Sequence, residues 1–264
     1  HAGDHDEVQS SLTDLGLALR GAGRGAEARP VLEEAFLMRR RLSPEDDPEV
    51  TEARLNLAFL LSEDLGDPAS AEVLLRAALA SETRRRAVGD PELAEYHRHV
   101  GDACRAQEHV ADAEREYVAA LELRRAQSPR GSAACAQSLC DVAWARARRG
   151  DVAKAEAWSR EAFTMACAHL PEAEGAVLES ARRLVTILRS RDELADAEAI
   201  VLAAYGALAR ANGASDDARR AAARDARDFY EALDGARPRQ GFAEKAAAWR
   251  ELATRPLEAG PTPT

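Results

Sequence analysis

Aromatic side chains make up only 5% of the 264 residues, so the core must come from aliphatic side chains, chiefly alanine and leucine, a composition that suits closely packed helices. The four cysteines, Cys104, Cys135, Cys140 and Cys167, show no C-x-x-C spacing. That excludes the usual zinc signature and leaves free thiols in a reducing cytoplasm as the expected state. His97 and His99 stand two apart on a predicted helix and point to different sides, so they cannot share one ion. No metal site is expected. No run approaches the roughly 18 apolar residues of a membrane span, and no signal-peptide pattern precedes the first periodic segment. A positive balance is missing too. The net charge of -10 and isoelectric point near 5.2 argue against a nucleic-acid partner, since phosphate binding needs positive potential over the contact surface. No Ser-His-Asp, Cys-His or lysine-based nucleophile arrangement can be drawn from the spacing, so neither an enzyme nor a cofactor is expected. Gly21-Ala22-Gly23-Arg24-Gly25 is not read as a phosphate loop, because a helix precedes it where that loop needs a strand.

What the chain has instead is a repeat. Leu12, Leu15, Gly16 and Leu19 fall on one face at helical spacing, and after the glycine-rich turn Ala28, Leu32 and Ala35 fall on another. Gly16 and Ala28 are expected as the contact points, because larger side chains would push the helix axes apart. Ala28 recurs as Ala71, Ala113, Ala155 and Ala197, a step of 43 and then steps of 42; Ala35 recurs as Ala78, Ala120, Ala162 and Ala204. Gly16 recurs as Ala58, Gly101, Ala143 and Val185. A fixed period of this size marks stacked helical units. The expected architecture is all-α: antiparallel helix hairpins in one domain, with repeats over 5–46, 47–89, 90–131, 132–173, 174–215 and 216–255. Residues 1–4 are expected to be frayed and 256–264 to form a disordered, proline-rich tail.

The pattern Leu12-x-x-Leu15-Gly16-x-x-Leu19 followed by Ala28-x-x-x-Leu32-x-x-Ala35 resembles the tetratricopeptide repeat. The 42-residue period resembles the longer-helix variant of kinesin light chains and many bacterial proteins, and Asn56-Leu57-Ala58, the Asp47-Pro48 and Asp90-Pro91 starts and Ala77-Ala78-Leu79 agree with it. The resemblance implies a right-handed superhelical solenoid and a non-catalytic scaffold that holds a protein or peptide in a concave groove. The last repeat, Phe229-Tyr230-Glu231-Ala232-Leu233 with Glu244-Lys245-Ala246-Ala247-Ala248-Trp249-Arg250, also resembles the tails fused to some bacterial serine/threonine protein kinases. The alternative function is thus the regulatory part of such a signalling protein. A start at His1 with a first repeat in phase almost at once is what a piece of a longer chain would show.

Several local features complete the expectation. The second helix should begin near Gly25 despite Pro30 inside it. Arg39-Arg40-Arg41, Arg84 to Arg86 and Arg124-Arg125 end second helices and are read as solvated cations favoured by the helix dipole. The extra residue of repeat two is placed in its turn, around Asp64-Leu65-Gly66-Asp67-Pro68, and an insertion of seven residues in repeat six around Gly235 to Gly241. Val185 in the small-residue slot implies looser packing of repeat five.

If the Leu15 and Gly16 positions face the core, the adjacent stripe of each first helix holds Thr13, Leu17 and Arg20; Leu55, Phe59 and Ser62; Arg98, Asp102 and Arg105; Cys140, Trp144 and Ala147; and Arg182, Thr186 and Arg189. In the family this stripe resembles the ligand-facing one, with Asn56 placed to reach a peptide backbone. The stripe reads as apolar in its front half and basic in its back half. The expected partner therefore has an apolar anchor near Phe59, acidic residues near Arg98, Arg105, Arg182 and Arg189, and a hot spot at Trp144. The competing reading makes these arginines a solvated face paired with Glu52, Glu95 and Glu179.

Overall fold

A computed structural model describes residues 5–237 and 240–254. The expected frayed start and tail, and Pro238-Arg239 within the inserted segment, lie outside the described residues. Among the described residues there is no strand. The chain falls into two compact units, His1–Gln127 and Ser128–Thr264. The first holds α1 (Asp6–Gly21), α2 (Gly25–Leu42), α3 (Pro48–Phe59, continued by a π-helical turn, Leu60–Asp64), α4 (Pro68–Arg85), α5 (Leu93–Ala106) and α6 (Val110–Gln127). The second holds α7 (Ala133–Arg148), α8 (Val152–Ala168), α9 (Glu174–Ser190), α10 (Leu194–Arg210), α11 (Asp216–Ala236) and α12 (Phe242–Thr254). Within each unit every helix packs on the next, and α9 also touches α7 and α11.

The six repeat starts fall within three residues of the first-helix starts. Side-chain caps fix several of these ends by accepting from backbone N–H groups that the helix itself leaves unpaired. Asp47 accepts from Glu49 N at 2.8 Å, Ser132 from Cys135 N at 3.1 Å and Ser215 from Ala218 N at 3.1 Å. The recurrent alanines are where packing demands them: Ala28, Ala71, Ala113, Ala155 and Ala197 are fully buried. The glycine slot is equally tight, although the neighbour differs from the expected one. A Cβ on Gly16 would lie 2.5 Å from the Leu32 side chain, one helical turn beyond Ala28. A Cβ on Gly101 would lie 2.6 Å from the Tyr117 ring.

The structure corrects three expectations. Leu15 is not in the core: it is 50% exposed and Val8 is 42% exposed. Its equivalents Leu57, Val100, Val142 and Leu184 are buried. Leu57, Val100 and Leu184 have a preceding second helix of their own unit to pack on, whereas α1 is the first described helix. The extra residue of repeat two is not in the turn. The loops 22–24 and 65–67 are equally long, and the residue is absorbed inside the helix as the π-helical turn, where Leu65 N donates to Leu60 O at 3.1 Å. Finally, the arginines ending second helices are not all solvated. Arg39 is 8% exposed. It donates to Asp6 at 3.0 Å and to Gln9 Oε1 at 2.6 Å and pairs with Glu49, tying α2 to the first helices on both sides. Arg124 is likewise buried and pairs with Glu95 of α5. A long guanidinium side chain on the inward face of a last turn can reach these carboxylates, and burial then requires them.

α2 begins at Gly25, as expected, with Pro30 inside it. In repeat six the inserted residues partly lengthen the first helix, since α11 runs 21 residues against 16 in α1. Its buried face is mostly alanine until Phe229, Tyr230 and Leu233.

Candidate binding clefts between first helices

Among the described residues, clefts open between neighbouring first helices, two of them in the first unit and another in the second. Each is floored by the intervening second helix or by the helix pair itself. The α1/α3 cleft, about 220 Å³, is lined by Gln9, Thr13, Asp14, Glu52 and Asn56. The α3/α5 cleft, about 290 Å³, is lined by Phe59, Ser62, Leu75, Arg98, His99 and Asp102. The α9/α11 cleft, about 190 Å³, is lined by Arg182, Val185, Thr186, Arg189, Asp225 and Phe229. Stripe residues therefore gather with those of the next first helix within each cleft. The apolar front half is corrected: the α1/α3 cleft is polar, because Thr13 and Asn56 face it beside Asp14 and Glu52, while Leu17 stays exposed.

In the α3/α5 cleft the charges are mostly committed. Arg98 donates to Glu95 at 3.0 Å and to Asp102 at 2.7 Å, and Tyr117 Oη donates to the other oxygen of Asp102 at 2.8 Å. Arg20, at the end of α1, pairs with Glu63 and donates to Asp64 at 2.5 Å. His99 stands edge-on to Phe59 with ring centroids 4.8 Å apart. Arg98 Nη2 donates to its Nε2 at 2.9 Å, which places the ring proton on Nδ1, an atom with no hydrogen-bond partner among the described residues. Burial first, and then the charge of Arg98, depress its pKa to about 4, so His99 is a neutral wall of the cleft at neutral pH.

In the second unit Arg182 donates to Asp225 Oδ2 at 2.7 Å across the α9/α11 cleft. Glu179 is taken by Arg183 and Gln137 instead. Burial raises the pKa of Asp225 above the usual carboxylate value, with the Arg182 hydrogen bond only partly opposing it. Arg189 is exposed and has no ion pair or side-chain hydrogen bond among the described residues. On α7, Trp144 and Ala147 are half-buried. Cys140 leaves the stripe altogether: it is buried, with its Sγ donating to Ala176 O at 3.6 Å, because α9 packs directly against α7. Arg105 and Thr186 lie on their expected first helices, half-buried and exposed respectively.

Sequence reading missed His99 as a cleft residue, weighing it only as a metal ligand. The signal was present in the register of Asn56, which gives Asp14, His99, Asp141 and Arg183 at the same repeat position. That position is polar in all five repeats. Asp225 carried no comparable signal, since it lies in the departing sixth repeat. All four cysteines are free thiols, Cys104, Cys135 and Cys140 buried, and burial pushes the Cys104 thiol up to about 12. Among the described residues no group of side chains could hold a metal ion, and no helix is long and apolar enough to cross a membrane.

A family model for the tetratricopeptide repeat matches residues 7–83. A comparison with curated proteins finds no match. Solved structures with similar folds include a putative kinesin light chain from Podosopora anserina with nearly identical TPR-like repeats, at 16% identity and a TM-score of 0.64 over 78% of this chain and 98% of that one. BtubC from P. vanneervenii is similar at 19% identity and a TM-score of 0.63, over 88% of this chain and 93% of that one. A Rap protein, solved in complex with competence and sporulation factor, gives 15% identity and a TM-score of 0.52 over 93% of this chain and 67% of that one. At such identities the likeness concerns the fold, and the resemblance of the last repeat to kinase tails is no part of it. Residues 7–83 thus match the tetratricopeptide repeat, and the described helices share the all-α helical-repeat fold of these solved structures.

Proposed function

We propose that the chain is a non-catalytic protein-interaction module that holds an extended segment of a partner protein against its first helices. The tetratricopeptide fold commonly mediates protein–protein contacts, and the Rap protein of similar fold was solved with competence and sporulation factor bound. The observation that carries the reading is the α3/α5 cleft, where Phe59 and Leu75 offer apolar surface within a rim of Ser62, Arg98 and Asp102. An apolar recess with a polar rim is the arrangement in which one anchoring side chain provides most of the binding energy. The committed ion pairs of Arg98 and Arg182 make them rim groups that orient a partner, with apolar contact providing the affinity.

The test is a selection of peptides from a displayed random library against the whole chain, followed by affinities of the selected peptides for variants. Phe59→Ala and Trp144→Ala are expected to weaken binding by about tenfold, as anchors do. Arg98→Glu with Arg182→Glu should weaken acidic peptides and steepen nothing in salt. Unchanged affinity in all these variants would place the binding surface elsewhere.

A further inference from the structure

The α9/α11 cleft differs from the other two in having a cation, Arg189, without an ion-pair partner among the described residues. Arg189 and Arg182 stand two turns apart on α9, about 10 Å by helical rise. Between them Val185 occupies the slot that holds glycine or alanine in the earlier repeats, and it faces Val201 and Phe229, both buried. This floor is apolar and has room for one aliphatic side chain. Arg182 is held by Asp225 from the opposite helix at 2.7 Å, whereas Asp228 pairs with its neighbour Arg227 at 2.6 Å. One end of the cleft is therefore an open anion site, and the other is an anion site filled by the chain's own carboxylate. A peptide in the polyproline II conformation rises about 3.1 Å per residue with three residues per turn, so carboxylates three residues apart point the same way and span the two arginines, with an aliphatic residue between them turned toward the floor. A chain-terminal carboxylate supplies only one of the two charges.

We propose that the α9/α11 cleft is a subsite for an internal acidic segment of a partner protein, acid-aliphatic-x-acid, anchored by Arg189, with Asp225 acting as an internal competitor for Arg182. This deepens the reading given above and rests on it. Binding exchanges one ion pair for another at Arg182 and forms a new one at Arg189. Asp225, half-buried between α9 and α11 and beside Asp228, is a poorly solvated carboxylate, so releasing Arg182 carries a cost that the ligand must offset. The competitor limits the site to ligands that carry both charges, because a single carboxylate gains only Arg189.

The experiment titrates the whole chain and each variant with acetyl-Asp-Leu-Ala-Asp-amide by calorimetry, and in the wild type also follows the Arg189 Nε–H resonance, assigned by its loss in Arg189→Gln. Controls are acetyl-Asn-Leu-Ala-Asn-amide and acetyl-Ala-Leu with a free carboxyl terminus. The acidic amide is expected to bind about tenfold more tightly than either control, with affinity falling as salt rises. Arg189→Gln is expected to lose about fivefold and Asp225→Asn to gain about threefold, while Arg220→Gln, outside the cleft, changes nothing. Urea midpoints check that each variant is folded. Equal binding of the asparagine peptide, or wild-type affinity in Arg189→Gln, overturns the subsite; weaker or unchanged binding in Asp225→Asn overturns the competitor. Loss of the acidic peptide on Phe59→Ala but not on Arg189→Gln would retain the general reading and remove this one, whereas indifference to both substitutions would remove both.

Discussion

Gly101 of α5 lies face to face with the ring of Tyr117 of α6, so close that a single added methyl would stand 2.6 Å from Cε1. The same tyrosine donates its hydroxyl to Asp102, the residue after that glycine, at 2.8 Å. One ring thus sets the spacing of a hairpin and positions a rim carboxylate of the α3/α5 cleft. Gly101→Ala is expected to cost about 1–3 kcal/mol through overpacking, and Gly101→Leu more. A urea-melt cycle with Tyr117→Leu should show coupling between the two sites, since the smaller side chain makes room for the methyl. Strictly additive losses would mean that the contact is not the cause.

Glu82 is buried to 1% exposure at the end of α4, held by Arg85 at 2.5 Å and Arg86 at 2.6 Å. Burial alone would raise its pKa, but the two arginines outweigh it and the carboxyl is held below its ordinary value. Arg85→Ala should cost less than about 1 kcal/mol because Arg86 remains, while removing both should cost about 3 kcal/mol or more by stranding a buried charge. The folded pKa lies below the unfolded one, so this stabilisation is complete above about 4.5 and is lost as pH falls through the folded value. Acid titration of the urea midpoint should show the loss in the wild type, and a flatter profile in the double variant.

Arg39 and Arg40 are neighbours with different fates. Arg39→Ala removes the tie to Asp6, Gln9 and Glu49. Because Asp6 and Glu49 reach water, the expected cost is about 1–3 kcal/mol, short of that for a fully buried pair. Arg40 pairs with Glu45 at 3.2 Å on the surface, and its replacement by alanine should fall within about 1 kcal/mol. Equal melts for the two variants would contradict the buried role of Arg39.

His99 gives a pH dependence of its own. Its folded pKa, about 4, lies below the unfolded value of 6.5, so the unfolded chain takes up the proton first as pH falls. The stability attached to neutral His99 is complete above 6.5 and is lost between 6.5 and about 4, at up to about 1.4 kcal/mol per pH unit. His99→Phe should remove that slope from urea midpoints measured between pH 7 and pH 4.5, without unfolding the chain, because Nδ1 has no hydrogen bond to lose and Arg98, which donates to Nε2, keeps Glu95 and Asp102. An unchanged slope would show that the ring is solvated.

The repeat register was legible in the sequence because buried alanine and glycine positions recur wherever two helix axes approach closely, and side-chain size is a property of the residue itself. Leu15 was misread for the complementary reason: its repeat position fixes which way it points, but its burial depends on a neighbouring helix that α1 does not have among the described residues. Arg39 looked like Arg40 and Arg41 because composition cannot tell the inward side of a last turn from the outward one. The clefts were half legible. Each stripe gave one wall, from Thr13 to Arg189, while the opposite walls at Glu52, His99 and Asp225 required knowing which first helices adjoin.

The π-helical turn at Leu60–Asp64 bears on how such arrays change length. One residue added to an α-helix swings everything beyond it by about 100°, which in a stack would turn every later apolar face away from its partner. Here the swing is confined to a single widened turn, and Ala71 arrives in its slot as Ala28 does. A gene built by tandem duplication can therefore gain a codon inside one unit without any compensating change in the others, and units of unequal length can remain in step.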